Sequence, residues 1–135
     1  MERYYLEGLI NYDGYCRSEA EANSCLAIKE NEENVVLAEF FEDNLDGKEV
    51  YVRYYITDKK VPLEETEEQS VKKINGLVEA SIYPVYSDVT GYLWCEEAIE
   101  VNGHNLFEEI CSYEGKYIHM IIEVKEWYTQ VIMQD

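Results

Sequence analysis

Two histidines, four cysteines and a large acidic surplus are what this chain offers to chemistry. His104 and His119 have no cysteine two to four residues away, and no Cys-x-x-Cys pair occurs among Cys16, Cys25, Cys95 and Cys111. A zinc site needs such clustered ligands, so no metal is expected. The turn Glu42-Asp-Asn-Leu-Asp-Gly47 superficially suggests an EF-hand loop. With Gly47 in the glycine slot, however, Glu42 takes the first ligand place and Arg53 the last, where a bidentate Glu is required. A hairpin turn is the expectation there. Cys95 or Cys111 could meet His104 or His119 in space, but no nucleophile elbow or protease signature surrounds them. No Gly-rich run opens a helix to cradle phosphate. Among 29 acidic residues, carboxylate pairs arise by chance. No catalytic residue and no cofactor is therefore nominated, and a non-enzymatic protein is expected. The cysteines read as reduced, small apolar side chains. His119 is expected to face solvent or to be partly packed, and His104 to lie in a turn before a helix.

The elements that would position these groups follow from periodicity. Arg3 to Tyr12, Ser24 to Glu30, Val35 to Glu42 and Lys48 to Thr57 read as strands. Asp13-Gly14, Asn31 to Asn34 and Asp43 to Gly47 read as the turns between them. Ser18 to Ala22 is ambiguous between a short helix and irregular chain. In the fourth strand Val50, Val52, Tyr54 and Ile56 alternate with Tyr51, Arg53 and Tyr55, the period of two that a half-buried strand requires. Pro62 suits a first helical turn, and Leu63, Glu67, Ser70, Val71 and Ile74 share one side at helical spacing. A helix is expected there, stopped by Asn75-Gly76. Val78, Ala80 and Ile82 then alternate, and Pro84 points to a strand edge or end. Tyr92 to Val101 is the next strand, closed by Asn102-Gly103. Asn105 followed by Glu108 forms a capping-box pattern for a short helix that buries Leu106, Phe107, Ile110 and Cys111. Ile118, Met120, Ile122 and Val124 alternate in the last strand. The fold class expected is α+β, a mostly antiparallel sheet with one or two short helices packed on it, as a single domain over residues 1–135.

Charge carries the functional argument. The chain has 135 residues and a net charge of −18. Direct binding to nucleic acid or to an anionic membrane is not expected, because both need Lys and Arg. Between Lys73 and Lys116 there is no Lys or Arg, while Glu79, Asp88, Glu96, Glu97, Glu100, Glu108, Glu109 and Glu114 fall in that interval. Tyr83, Tyr86, Tyr92, Trp94 and Tyr113 fall there too. Carboxylates two apart on one strand face are about 6.6–6.8 Å apart, and those three or four apart on a helix about 5–6 Å. Both separations are comparable to the phosphate step of a nucleic-acid strand. Glu96, Glu97, Glu100, Glu108 and Glu109, with Tyr92 and Trp94, are the candidate partner contacts. The partner expected is a basic protein, a nucleic-acid-binding effector, and homodimerisation stays open. The first residues lack the apolar stretch of a secretory leader, and no apolar run could span a membrane, so a cytoplasmic location is expected.

The segment Gly91-Tyr-Leu-Trp-Cys-Glu-Glu97, continuing through Val101-Asn-Gly-His-Asn-Leu-Phe-Glu-Glu109 to Tyr113-Glu-Gly-Lys-Tyr117, resembles small phage-type proteins. With the acidity and the α+β pattern, the chain is similar in style to anti-defence proteins of phages and mobile elements, anti-CRISPR proteins and other DNA mimics. The resemblance implies a non-enzymatic inhibitor that blocks the substrate channel of a nucleic-acid-processing defence protein in the host cell cytoplasm. It transfers no functional residue. Two other readings stand beside it: an immunity protein that neutralises a basic toxin nuclease, and a small-ligand-binding protein or small enzyme with an apolar pocket.

Overall fold

Alternating apolar residues build most of this molecule, and they do so as antiparallel strands. The computed structural model describes residues 2–14, 25–59, 71–91 and 93–125. In chain order the elements are β1 (Arg3–Gly14), β2 (Cys25–Glu30), β3 (Glu33–Val36), α1 (Leu37–Asn44), β4 (Glu49–Thr57) and β5 (Val71–Tyr86). Then come β6 (Leu93–Val101), β7 (His104–Asn105), α2 (Leu106–Cys111) and β8 (Tyr117–Val124). The strands form one sheet in the order β3-β2-β1-β8-β4-β5-β6-β7, with every pairing antiparallel. Two short helices accompany it, so the coarse reading of a mostly antiparallel α+β fold holds.

One face of the sheet carries the core. Val50, Val52 and Tyr54 of β4 and Ile118, Met120 and Ile122 of β8 are fully buried on it, as their alternation requires. Val78, Ile99 and Val101 continue the core into β5 and β6, and Leu106 and Ile110 of α2 close it. The sheet curls around this face. Although β2 and β6 are far apart in strand order, the Glu97 carboxylate on β6 accepts a hydrogen bond from the Leu26 N–H of β2 at 3.0 Å. That N–H is available because the β1–β2 register slips between Asn11↔Ala27 and Gly14↔Cys25, a bulge that leaves Leu26 out of the β1 ladder.

Several local expectations are corrected. Val35 to Glu42 is not one strand: β3 stops at Val36 and α1 begins at Leu37. Leu37, Ala38, Phe41 and Leu45 have helical spacing, and all four are fully buried. The segment Asp43 to Gly47 is consequently a helix exit and not a hairpin turn, with Gly47 at φ 79°. The helix expected to end at Asn75-Gly76 is overturned from Val71 onward. Lys72, Ile74 and Gly76 pair with Tyr54, Val52 and Val50 of β4; residues 62–70 lie outside the described residues. Gly76 is where β5 passes beneath the β6–β7 turn. Its φ is +148°, and a Cβ there would stand 2.3 Å from Asn102 Cβ. Asp13 and Gly14 belong to β1, with Gly14 opposite Cys25; residues 18–22 are outside the described residues.

The β4-side edge of β5 shows how the fold treats an unpaired strand. Beyond Leu77, where β4 ends its pairing, the Val78 N–H finds the Lys48 carbonyl at 2.9 Å. The Ala80 N–H then finds Asp46 Oδ1 at 2.9 Å and the Ile82 N–H finds Glu42 Oε2 at 3.1 Å. Two further residues along stands Pro84, which has no N–H to satisfy. The proline thus marks an edge capped by carboxylates from α1 and the turn after it.

Candidate protein-interaction face

The face of β5 and β6 opposite the core is where the charge argument meets geometry. On β6, Cys95, Glu97, Ile99 and Val101 share the inner side, so Trp94, Glu96, Ala98 and Glu100 turn outward. On β5, Val78, Ala80 and Ile82 are buried and send Glu79, Ser81 and Tyr83 outward. The register places Glu79 opposite Glu100, Ser81 opposite Ala98, Tyr83 opposite Glu96 and Val85 opposite Trp94. Tyr83 is 55% exposed, and the Trp94 indole N–H donates to Glu96 Oε1 at 3.0 Å. Among the described residues no Lys or Arg forms an ion pair with Glu79, Glu96 or Glu100. Like charges directly opposite across two strands destabilise a sheet, so the Glu79–Glu100 pair is a local cost that no Lys or Arg among the described residues offsets.

The structure divides the residues nominated from sequence. Trp94, Glu96 and Glu100 share this face. Glu108 borders it: its N–H donates to Asn105 Oδ1 at 2.9 Å, and Asn105 pairs with Glu100. This is the expected N-cap, although the Asn105 amide meets the Glu108 carboxylate side chain to side chain at 3.4 Å. Tyr92 lies outside the described residues. Glu97 and Glu109 are corrections, because both point away from the face. Glu97 is on the core side of β6, and burial, with Glu39 nearby, pushes its carboxyl up to about 7 against the opposing pull of the Leu26 N–H. Glu109 accepts from the Tyr54 hydroxyl and holds His104 Nε2 on the core side of the sheet. Burial works to raise its carboxyl, but the bonds from Tyr54 and His104 and the nearby Lys72 hold it below the ordinary range. One contiguous set of seven contacts is therefore not present. Sequence reasoning left out Glu79 and Tyr83, yet the inward alternation of Val78, Ala80 and Ile82 already assigned both to the outer side.

Other polar clusters were not legible as such. His119, expected to face solvent or to be partly packed, is instead buried, at 2% exposure. Its Nδ1 lies 2.7 Å from the Tyr5 hydroxyl and 3.2 Å from Glu7 Oε2, across the β1–β8 pairing. Cys111 bonds Tyr12 on the inner side; burial raises both groups above their usual ranges. Cys25, Cys95 and Cys111 are free thiols. Among the described residues no group of three or more His, Cys, Asp or Glu is placed to hold a metal, and no helix is long and apolar enough to cross a membrane.

No protein-family model, curated protein or solved structure matches this chain.

Proposed function

We propose that the chain is a non-enzymatic inhibitor that docks the outer face of β5 and β6 onto a basic, nucleic-acid-processing protein of a bacterial defence system. It acts in the cytoplasm and occupies the groove that nucleic acid would fill. The observation that carries this reading is the opposed, unneutralised Glu79–Glu100 pair, flanked by Glu96, Tyr83 and Trp94. A sheet optimised for stability alone would not set two carboxylates opposite each other without a cation. A basic partner would supply that cation. Glu96 and Glu100 are four residues apart on one strand, about 13 Å, roughly two steps along a phosphate chain. Tyr and Trp beside them add contact area at low entropy cost. The reading rests on Glu79, Glu96 and Glu100, and no longer on Glu97 or Glu109.

The test is capture from a bacterial lysate at low salt, with the wild-type chain and a Glu79→Gln/Glu96→Gln/Glu100→Gln variant as baits. Nucleic-acid-binding proteins retained by the wild type, displaced by a competing DNA oligonucleotide and lost from the variant support the proposal. Equal retention by both baits overturns it. A toxin nuclease among the displaced proteins would assign the same face to immunity against that toxin.

A further inference from the structure

A second surface differs from the first in sign and in kind. Lys72, Lys73, Ile74 and Asn75 all line one groove of about 400 Å³ whose opposite wall is formed by the β6–β7 turn and α2. Successive strand residues point to opposite faces, so a groove that touches four in a row runs along the strand's edge. β4 covers the other edge of this stretch, from Val71 to Leu77. β6 begins its pairing only at Val78. Among the described residues, therefore, β5 from Lys72 to Asn75 has an open side toward the groove. The main-chain groups that face it follow from alternation. The Val78, Ala80 and Ile82 N–H groups bond on the β4 side, and the Leu77 carbonyl accepts the Asn102 N–H at 2.9 Å on the β6 side. The N–H and C=O groups of Lys73 and Asn75 consequently turn to the groove.

We propose that this edge receives an extended acidic peptide of a partner protein as an added strand. Main-chain pairing supplies the affinity in such complexes, and flanking side chains supply the choice of partner. Lys72 and Lys73 stand on opposite faces of β5, and acidic side chains of an incoming strand meet a cation on the Lys73 face. His104 lines the far wall with its Nε2 held by Glu109. In a chain of net charge −18, this is a site where basic groups line an open strand. Lysines on an edge also discourage indiscriminate pairing; Asn102, His104 and Glu109 line the opposite wall. Glu109 keeps its charge on that wall, hydrogen-bonded by Tyr54 and His104 with Lys72 nearby, so Lys73 is the cation it leaves to the entering acid.

The experiment uses the full chain and capped heptapeptides alternating Glu with Val, followed by amide NMR shifts and fluorescence anisotropy at low salt. The Glu peptide should bind and move the Lys72–Asn75 amides, with Lys73→Glu weakening it about fivefold. The same peptide N-methylated at alternate residues should not bind, since it cannot pair through its backbone. This arm leaves the protein unaltered, so it does not depend on a variant folding. Overturning results are equal binding of the corresponding Lys peptide, unchanged binding after N-methylation, or shifts confined to the outer face of β5 and β6. Concentration-dependent dimerisation that Lys73→Glu abolishes, with no peptide binding, would assign the edge to a second copy and equally overturn the proposal.

Discussion

Replacing Glu97 with Gln removes a charge while leaving an oxygen to accept the Leu26 N–H. In the folded chain the Glu97 carboxyl protonates at about 7, against 4.5 for the group free of its surroundings. Between those pH values the native state holds a proton that the unfolded state has lost. Stability must therefore fall as pH rises through this window, and the loss is complete once the folded carboxylate is ionised. A displacement of that size represents about 3 kcal/mol if fully felt; water reaching part of the carboxylate screens it to about 1–2 kcal/mol. Urea unfolding of the wild type and of Glu97→Gln at pH 5 and pH 8.5 measures this. The stability gap in favour of the variant should widen by about 1–2 kcal/mol from the lower to the higher pH. A gap that is the same at both pH values would refute the reasoning, and would mean that Glu97 stays ionised throughout. Glu97→Ala is the complementary variant: it strands the Leu26 N–H and should cost about 1–3 kcal/mol at every pH.

Other consequences can be checked with the same unfolding assay. Glu79→Gln relieves its repulsion with Glu100 and should stabilise the chain by about 0.5 kcal/mol, while weakening capture of the basic partner. Gly76→Ala should destabilise by about 1–3 kcal/mol, because φ is +148° and the new Cβ meets Asn102. Asn105→Ala should cost about 1 kcal/mol through loss of the α2 cap, seen as a lower urea midpoint.

What the sequence could convey depended on how each residue's surroundings are set. β4 and β8 were legible because Val50, Val52 and Tyr54, and Ile118, Met120 and Ile122, keep a strict period of two on the core face, although Tyr55, His119 and Ile121 are buried on the other face as well. The α2 cap was legible because Asn105 and Glu108 act over three residues. Helix α1 was not, since Val35 to Phe41 is nearly continuous apolar sequence that fits a buried strand equally well. The start of β5 reads as a helix because Leu63, Glu67, Ser70, Val71 and Ile74 share one side at helical spacing behind Pro62. What decides it is pairing with β4, a contact with residues about twenty positions earlier. Parity with Ile99 and Val101 puts Glu97 on the inner side, but its partner was out of reach of the sequence: the bond to the Leu26 N–H requires the sheet to curl until β6 meets the bulge in β2. The outer-face partners Glu79 and Tyr83 were available from parity alone, which local charge counting overlooked.

The central claim is that carboxylates on one face of β5 and β6 take the place of nucleic-acid phosphates on a basic partner. Its most direct test is the affinity of the purified, captured partner for the wild-type chain and for Glu79→Gln/Glu96→Gln/Glu100→Gln, measured across salt with and without a competing DNA oligonucleotide. The account expects wild-type affinity to fall steeply with salt, DNA to compete, and the variant to lose most of the salt dependence along with the affinity. Affinity that is indifferent to salt, to DNA and to the three substitutions would contradict it.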